Sequence, residues 1–93
     1  MAELLSEQQI AKGLEGRQWT REGDEIVRQW EFDDFATAMS FVNRVAEAAE
    51  EANHHPDILV HGWNKVRLSL TNHSAGGLTE ADLRMSKRFD ELG

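Results

Sequence analysis

Residues 34–56, DFATAMSFVNRVAEAAEEANHHP, contain the clearest helical periodicity in the chain. Apolar residues recur there at spacings of three and four, which places them on one face of a helix. Asp33 or Asp34 can cap this helix, and it should end before Pro56, whose ring disfavours helical geometry at the preceding residue. The predicted apolar stripe consists of Phe35, Ala38, Val42, Val45, Ala49 and Ala52.

Two predicted β-hairpins flank this helix. Residues 17–22 and 25–32 surround the turn signal Gly23-Asp24, and Ile26, Trp30 and Phe32 alternate along the second run. Residues 57–61 and 65–71 surround a turn at residues 62–64. Alternation in the last strand puts Val66, Leu68 and Leu70 on one face and Lys65, Arg67 and Ser69 on the other.

Capping-box patterns predict one further helix towards each end of the chain. Ser6 with Gln9 opens a helix over residues 7–15, which Gly13 weakens, and Thr79 with Asp82 opens a final helix. That final helix carries Leu83, Met85, Phe89 and Leu92. The order α-β-β-α-β-β-α predicts an α+β fold, a four-stranded antiparallel sheet with helices packed on one face. Ninety-three residues fit a single domain, residues 1–93.

The charge balance limits the classes of partner. Ten Lys and Arg face 17 Asp and Glu, and the net charge of −7 repels nucleic acid and anionic membrane surfaces. The absence of Cys excludes disulfides, thiolate nucleophiles and Cys-ligated zinc. Neither a secretory leader nor an apolar run of membrane-spanning length is present, so we expect a cytoplasmic protein. A core of this size gains from self-association.

Three of the four histidines surround the second predicted hairpin. His54 and His55 precede its first strand, and His73 follows its second strand. Both ends of an antiparallel pair lie close together, so the three imidazoles can share one pocket, whereas His61 lies near the turn. Imidazole suits proton transfer because its ordinary pKa lies near 6.5. The alternative is that these three histidines are ordinary helix-terminal and turn residues.

Other chemistries fit these residues less well. Three histidines can bind zinc, but adjacent histidines project in different directions from an extended chain, and no H-E-x-x-H pattern is present. Ser74 lacks a nucleophile elbow, and Gly76-Gly77 is not a phosphate-binding loop. We therefore predict no metal site.

Residues 50–57 (EEANHHPD), 63–66 (WNKV) and 71–82 (TNHSAGGLTEAD) closely resemble the pterin-4a-carbinolamine dehydratase family. The resemblance runs from about Leu14 to Leu92. It departs from the family pattern at Asn53 and Ala81, and residues 58–63 are one residue longer than in many members. The extra residue fits either a bulge or a longer turn at Gly62.

The resemblance implies an enzyme that dehydrates 4a-hydroxytetrahydropterin to quinonoid dihydropterin by general acid and base catalysis, without metal or organic cofactor. It implies that His54 and His73 act as acids on the hydroxyl group, and that His55 binds the pterin and takes the N5 proton. The implied substrate-binding set is His54, His55, Pro56, Asn72, His73, Ser74, Ala75, Glu50 and Asp82.

Several alternatives stay open at this point. Asp82 fits the family's site and the capping box equally well, and Trp19 can stack on a pterin or pack in the core. Family members also occur as homo-oligomeric coactivators or assembly factors, so a non-catalytic interaction module is the rival function. The resemblance implies a homodimer or homotetramer, while charge and composition speak against direct nucleic-acid and membrane binding.

Overall fold

The computed structural model describes residues 3–93, which form three helices and four strands. The predicted order α-β-β-α-β-β-α is confirmed. The helices are packed on one face of the sheet, as predicted, and their apolar residues share one core with the sheet. The elements are α1 (Glu7–Leu14), β1 (Thr20–Glu22), β2 (Glu25–Glu31), α2 (Phe35–Ala52), β3 (Asp57–His61), β4 (Lys65–Leu70) and α3 (Glu80–Asp90).

The sheet is antiparallel throughout, with the order β1-β2-β4-β3. Both predicted hairpins form, and β4 lies between β2 and β3. Alternation in β4 is as predicted, since Val66, Leu68 and Leu70 face the helices and are buried. The first strand is shorter than predicted because the chain at residues 17–19 runs to the core, where Trp19 is buried, before β1 begins.

The predicted apolar stripe of α2 differs from the face of the helix that is buried in the structure. Phe35 and Ala52 are exposed, and Phe35 keeps 54% of its surface in contact with solvent. Phe41, which the predicted stripe omitted, is completely buried and packs against Trp30 of β2 and Phe32, the residue after β2. The buried residues of α2 are Ala38, Phe41, Val45, Ala48 and Ala49. The helix is therefore rotated about its axis relative to the predicted face.

The end of α2 delivers the His54-His55 pair to the sheet. Asn53 caps the helix in the left-handed conformation, with φ of 51° and ψ of 43°, which Asn tolerates better than most residues. The N–H of His54 donates to the carbonyl of Ala49 at 3.1 Å. The chain then turns sharply, passes Pro56 and enters β3.

The turn between β3 and β4 occupies three residues at the opposite end of these strands. Asp57 to His61 pair with Ser69 to Lys65 without interruption, so the extra residue in this region lengthens the turn and forms no bulge. Gly62 and Trp63 both have positive φ, 55° and 59°. The Phe32 N–H donates to the Asn64 carbonyl at 2.8 Å, and the Asn64 side chain donates back to the Phe32 carbonyl at 2.9 Å.

Gly13 permits a close approach between the first and last helices. A Cβ atom at this position would lie 2.6 Å from a methyl group of Leu83 on α3. The glycine that weakens α1 as a helix thus allows α1 to pack against α3. None of the helices in residues 3–93 combines the length and apolar composition that a bilayer crossing requires.

Candidate functional site

The candidate site lies at one end of β3 and β4, where the segment before β3 meets the segment after β4. His54 and His55 follow the C-terminus of α2, and His73 follows β4. These three side chains line one open pocket of about 220 Å³. The other lining residues are Asn53, Thr71, Asn72 and Ser74. The structure thus brings together the three histidines that the sequence singled out.

His54 is the most enclosed of the three, and a buried carboxylate holds it. Its Nε2 lies 2.6 Å from Oδ1 of Asp82, and the Asp82 side chain has no exposed surface. With a carboxylate as acceptor, the Nε2–H donates, which leaves Nδ1 as the basic atom of the neutral ring. Only 16% of the His54 side chain is exposed.

Asp82 takes part in the predicted capping box and also contacts His54. Its second oxygen, Oδ2, accepts from the Thr79 N–H at 2.8 Å and from the Thr79 hydroxyl at 3.2 Å, which closes the capping box of α3. Its first oxygen holds His54. One carboxylate therefore connects the start of α3 to the pocket.

His55 is paired with Glu50 at the surface. Its Nε2 lies 2.5 Å from Oε2 of Glu50, one helical turn earlier in α2, and more than half of each side chain is exposed. Glu50 therefore orients a histidine. Because water screens this exposed pair, it contributes less to stability than the buried pair of His54.

The loop after β4 presents His73 and Ser74, both exposed, to the pocket. Asn72 closes this loop: its Oδ1 accepts from the Ala75 N–H at 3.1 Å, and its carbonyl accepts from the Gly76 N–H at 2.9 Å. Gly76 has a φ of 81°, a conformation that favours glycine. The Ala75 N–H is used within the loop, so it is not a free donor for a ligand.

Not every predicted substrate-binding residue lines the pocket. Pro56 and Ala75 flank the lining segments, and Glu50 and Asp82 stand behind His55 and His54. Asn53 and Thr71 line the pocket although the sequence did not predict them as site residues, and their only signal was their place within the matched stretches 50–57 and 71–82. The Thr71 hydroxyl donates to the Asp24 carbonyl at 2.6 Å, which ties the pocket to the β1–β2 turn.

A second, more acidic depression of about 320 Å³ adjoins the pocket through Thr71 and His73. It is also lined by Asp24, Glu25, Asp57, Gly76 and Gly77. His73 therefore stands on the ridge between a histidine-rich pocket and a carboxylate-rich one.

The remaining aromatic and histidine candidates lie elsewhere. Trp19 is buried and its Nε1–H donates to Asp90 at 2.7 Å, so it belongs to the core and does not face the pocket. Trp30 is also buried, whereas Trp63 is exposed at the distant turn. His61 contacts Gln29 at 2.9 Å, away from the pocket. Across residues 3–93, no three His, Cys, Asp or Glu side chains converge in an arrangement that could hold a metal ion.

Comparison with known proteins gives a consistent result. A family model described as pterin 4 alpha carbinolamine dehydratase matches residues 3–92. A relative from Nocardia farcinica, provisionally named pterin-4-alpha-carbinolamine dehydratase, is 50% identical over 91 residues, covering 97% of this chain and 95% of its own length. One from Natronomonas pharaonis, named in the same way, is 41% identical over 92 residues, covering 99% of this chain and 98% of its own length.

Two solved structures share the fold. One is described as a transcriptional coactivator/pterin dehydratase from Brucella melitensis; it has a TM-score of 0.89 and 30% identity, covering 96% of this chain and 97% of its own. The other is described as a pterin dehydratase-like protein that is a RuBisCO assembly factor in the alpha-carboxysome. It has a TM-score of 0.69 and 25% identity, covering 83% of this chain and 90% of its own.

Proposed function

Because this chain belongs to the pterin 4 alpha carbinolamine dehydratase family, we propose that it dehydrates 4a-hydroxytetrahydropterin to quinonoid dihydropterin. The observation that carries the proposal is the meeting of His54, His55 and His73 at one pocket. Two of these imidazoles are paired with carboxylates. The pocket is open and, at about 220 Å³, smaller than the roughly 300 to 1,000 Å³ of drug-sized ligand sites.

The reaction needs two proton transfers. The bond between C4a and its hydroxyl oxygen breaks as a proton reaches that oxygen, the N5 proton is removed, and a double bond forms between C4a and N5. An acid and a base with pKa values near neutrality are sufficient for this exchange, and imidazole serves in both roles. The leaving water carries the delivered proton.

We assign His54 and His73 as the acids on the hydroxyl and His55 as the residue that binds the pterin and takes the N5 proton. The Asp82 carboxylate supports the role of His54 because its contact with Nε2 fixes the orientation of the imidazole ring. Glu50 supports the role of His55, since its carboxylate contacts Nε2 and helps to orient the ring. Asn72 and Ser74 contribute polar groups at the pocket edge.

The test is dehydration of synthetic 4a-hydroxytetrahydropterin, followed by ultraviolet absorbance against the uncatalysed rate. We expect a metal-free preparation to accelerate the reaction, and the variant His61→Ala to match the wild type because His61 lies outside the pocket. A wild-type chain that leaves the uncatalysed rate unchanged would refute the proposal.

We further propose that the chain forms a homodimer or homotetramer in which a second copy pairs along β3. The two edges of the sheet differ: β1 is three residues long and carries Arg21 and Glu22, whereas β3 presents exposed Ile58 and Leu59. Short charged edges resist strand pairing and apolar edges invite it. Sedimentation velocity should show that Leu59→Lys dissociates the assembly and that Thr20→Lys on the opposite edge does not. Intact assembly in Leu59→Lys would reject this interface.

A non-catalytic interaction role is the second candidate, and the solved structure described as a RuBisCO assembly factor is the observation that favours it. The two functions separate in one experiment, since an interaction module retains its partner when His54 and His73 are replaced. A chain without dehydratase activity that co-purifies with a host protein, unchanged by these replacements, would support the interaction role.

A further inference from the structure

We propose that Thr79 is a positioning residue for His54, acting through the side chain of Asp82. This inference rests on the proposed function only in that His54 is the group being positioned for proton transfer. Thr79 does not line the histidine pocket, and its hydroxyl reaches the imidazole through a chain of two hydrogen bonds.

The hydrogen bonds around Asp82 are divided between its two oxygens. Oδ2 accepts from the Thr79 N–H and hydroxyl at 2.8 and 3.2 Å, and Oδ1 lies 2.6 Å from His54 Nε2. A carboxylate held at one oxygen by two donors has its plane fixed, so the direction in which the other oxygen points is fixed as well. The Thr79 hydroxyl therefore helps to set the orientation of the His54 ring.

Burial makes this chain of contacts stiff. Thr79 is 1% exposed and Asp82 is completely buried, so water cannot readily replace a lost hydroxyl donor. The N-terminal segment covers Thr79: Leu4 forms a β-bridge with it, and the Leu5 N–H donates to the Leu78 carbonyl at 2.9 Å. These contacts hold the backbone of Leu78 and Thr79, which presents the hydroxyl, in place.

The consequence for His54 is the choice of tautomer. A well-oriented Asp82 keeps the proton of the neutral ring on Nε2 and leaves Nδ1 to exchange the catalytic proton. If the carboxylate can rotate, the ring loses this preference, and in fewer molecules is Nδ1 the atom that carries the proton delivered by the acid. The expected effect is on turnover and not on substrate affinity.

The capping box of α1 provides an internal control. There the Ser6 hydroxyl accepts from the Gln9 N–H at 3.1 Å and the Ser6 N–H donates to Oε1 of Gln9 at 2.8 Å, and both residues are exposed and far in sequence from the histidines. Ser6→Ala therefore removes a helix-capping hydroxyl without touching the contact between Asp82 and His54. It separates loss of a cap from loss of positioning.

The experiment compares Thr79→Val, Thr79→Ser and Ser6→Ala in the full chain. Thr79→Val removes the hydroxyl while retaining shape; we expect kcat to fall about tenfold with little change in KM, the size of effect seen when a supporting contact of a functional histidine is lost. Thr79→Ser should restore kcat, and Ser6→Ala should not change it. If valine prevents folding, Thr79→Ala makes the same removal.

A second measurement does not depend on activity. Nitrogen NMR of the histidine side chains reports the tautomer of each ring, and Thr79→Val should shift His54 alone towards a mixed tautomer. Unchanged His54 signals in that variant, or equal kcat in the Val and Ser variants of Thr79, would overturn the inference. A wild-type chain without dehydratase activity would refute the proposed function, and the NMR comparison would still decide the role of Thr79.

Discussion

The Nε2 atom of His54 lies 2.6 Å from Oδ1 of Asp82, and the same carboxylate caps α3 through its other oxygen. The geometry of the candidate site and the start of α3 therefore depend on one side chain that is completely buried. By contrast, the pair of His55 and Glu50 involves only the surface. This difference between two pairs of similar chemistry leads to the first prediction.

Replacing Asp82 should cost much more stability than replacing Glu50. Asp82→Ala removes a helix cap and leaves buried donors unpaired, so we expect the free energy of unfolding to fall by about 2 to 4 kcal/mol. Glu50→Ala breaks an exposed pair and should cost less than about 1 kcal/mol. Urea denaturation of both variants measures the difference; equal losses would show that the buried pair is not a structural support.

Replacing different histidines should have different effects on stability, although the proposed mechanism uses all three. His73 is exposed, so His73→Ala should change the free energy of unfolding by less than about 0.5 kcal/mol while lowering kcat by roughly 10²- to 10⁴-fold. His54→Ala should in addition lower the free energy of unfolding by about 1 to 3 kcal/mol, because it leaves the buried Asp82 carboxylate without its partner. The double variant should remain folded with little activity. Wild-type turnover in the double variant would disprove the assignment.

The loss of folding stability at acid pH should depend on Asp90. Partial burial acts to raise the pKa of Asp90, but hydrogen bonds from Arg17, Trp19 and Arg28 outweigh burial and lower it from 3.8. A carboxyl with a lowered folded-state pKa contributes stability above its unfolded pKa, and that contribution is lost as pH falls through the folded value. Asp90→Asn should therefore weaken the protein at pH 7 and flatten the loss of stability below about pH 4.

Thermal melts between pH 2 and pH 7 test this expectation. Glu91→Gln, one residue further along the chain and exposed, removes a carboxylate outside the cluster and should leave the pH dependence unchanged. If the pH profile of Asp90→Asn runs parallel to that of the wild type, the cluster around Asp90 does not govern acid unfolding.

Gly13 and Leu83 should be energetically coupled. Gly13→Ala improves helix propensity by up to about 1 kcal/mol, but its new methyl group meets the Leu83 side chain, and we expect a net loss of about 1 to 2 kcal/mol. In a Leu83→Ala background the same change should be neutral or stabilising. A double-mutant cycle by chemical denaturation measures the coupling, and additive effects would contradict the packing described for α1 and α3.

The sequence predicted the order of helices and strands correctly, but it did not predict which face of α2 is buried. Ala38, Val45 and Ala49 belong to two overlapping stripes, one with Phe35 and Val42 and one with Phe41 and Ala48. Both stripes satisfy spacings of three and four, so the sequence alone could not distinguish them. The choice depends on Trp30 and Phe32 of the opposing sheet side, which pack against Phe41. Contacts between distant segments, and not local periodicity, decided the face.

The candidate site shows a similar limit. The meeting of His54 and His55 with His73 followed from hairpin geometry and family motifs. The contact between His54 and Asp82 joins residues 28 positions apart on different elements, and no local pattern indicates it. The capping box identified the partner of Thr79, but not the second use of the same carboxylate.

The three-residue turn at Gly62–Asn64 stands at the far end of β3 and β4 from the histidines, about 15 Å away, the length of a five-residue strand. The two strands pair without interruption, so the additional residue is confined to the turn. A longer turn therefore leaves the geometry of the pocket intact. This turn is therefore a natural attachment point. A fluorophore or an affinity tag could be introduced at Trp63, which is already exposed, without a redesign of the candidate site.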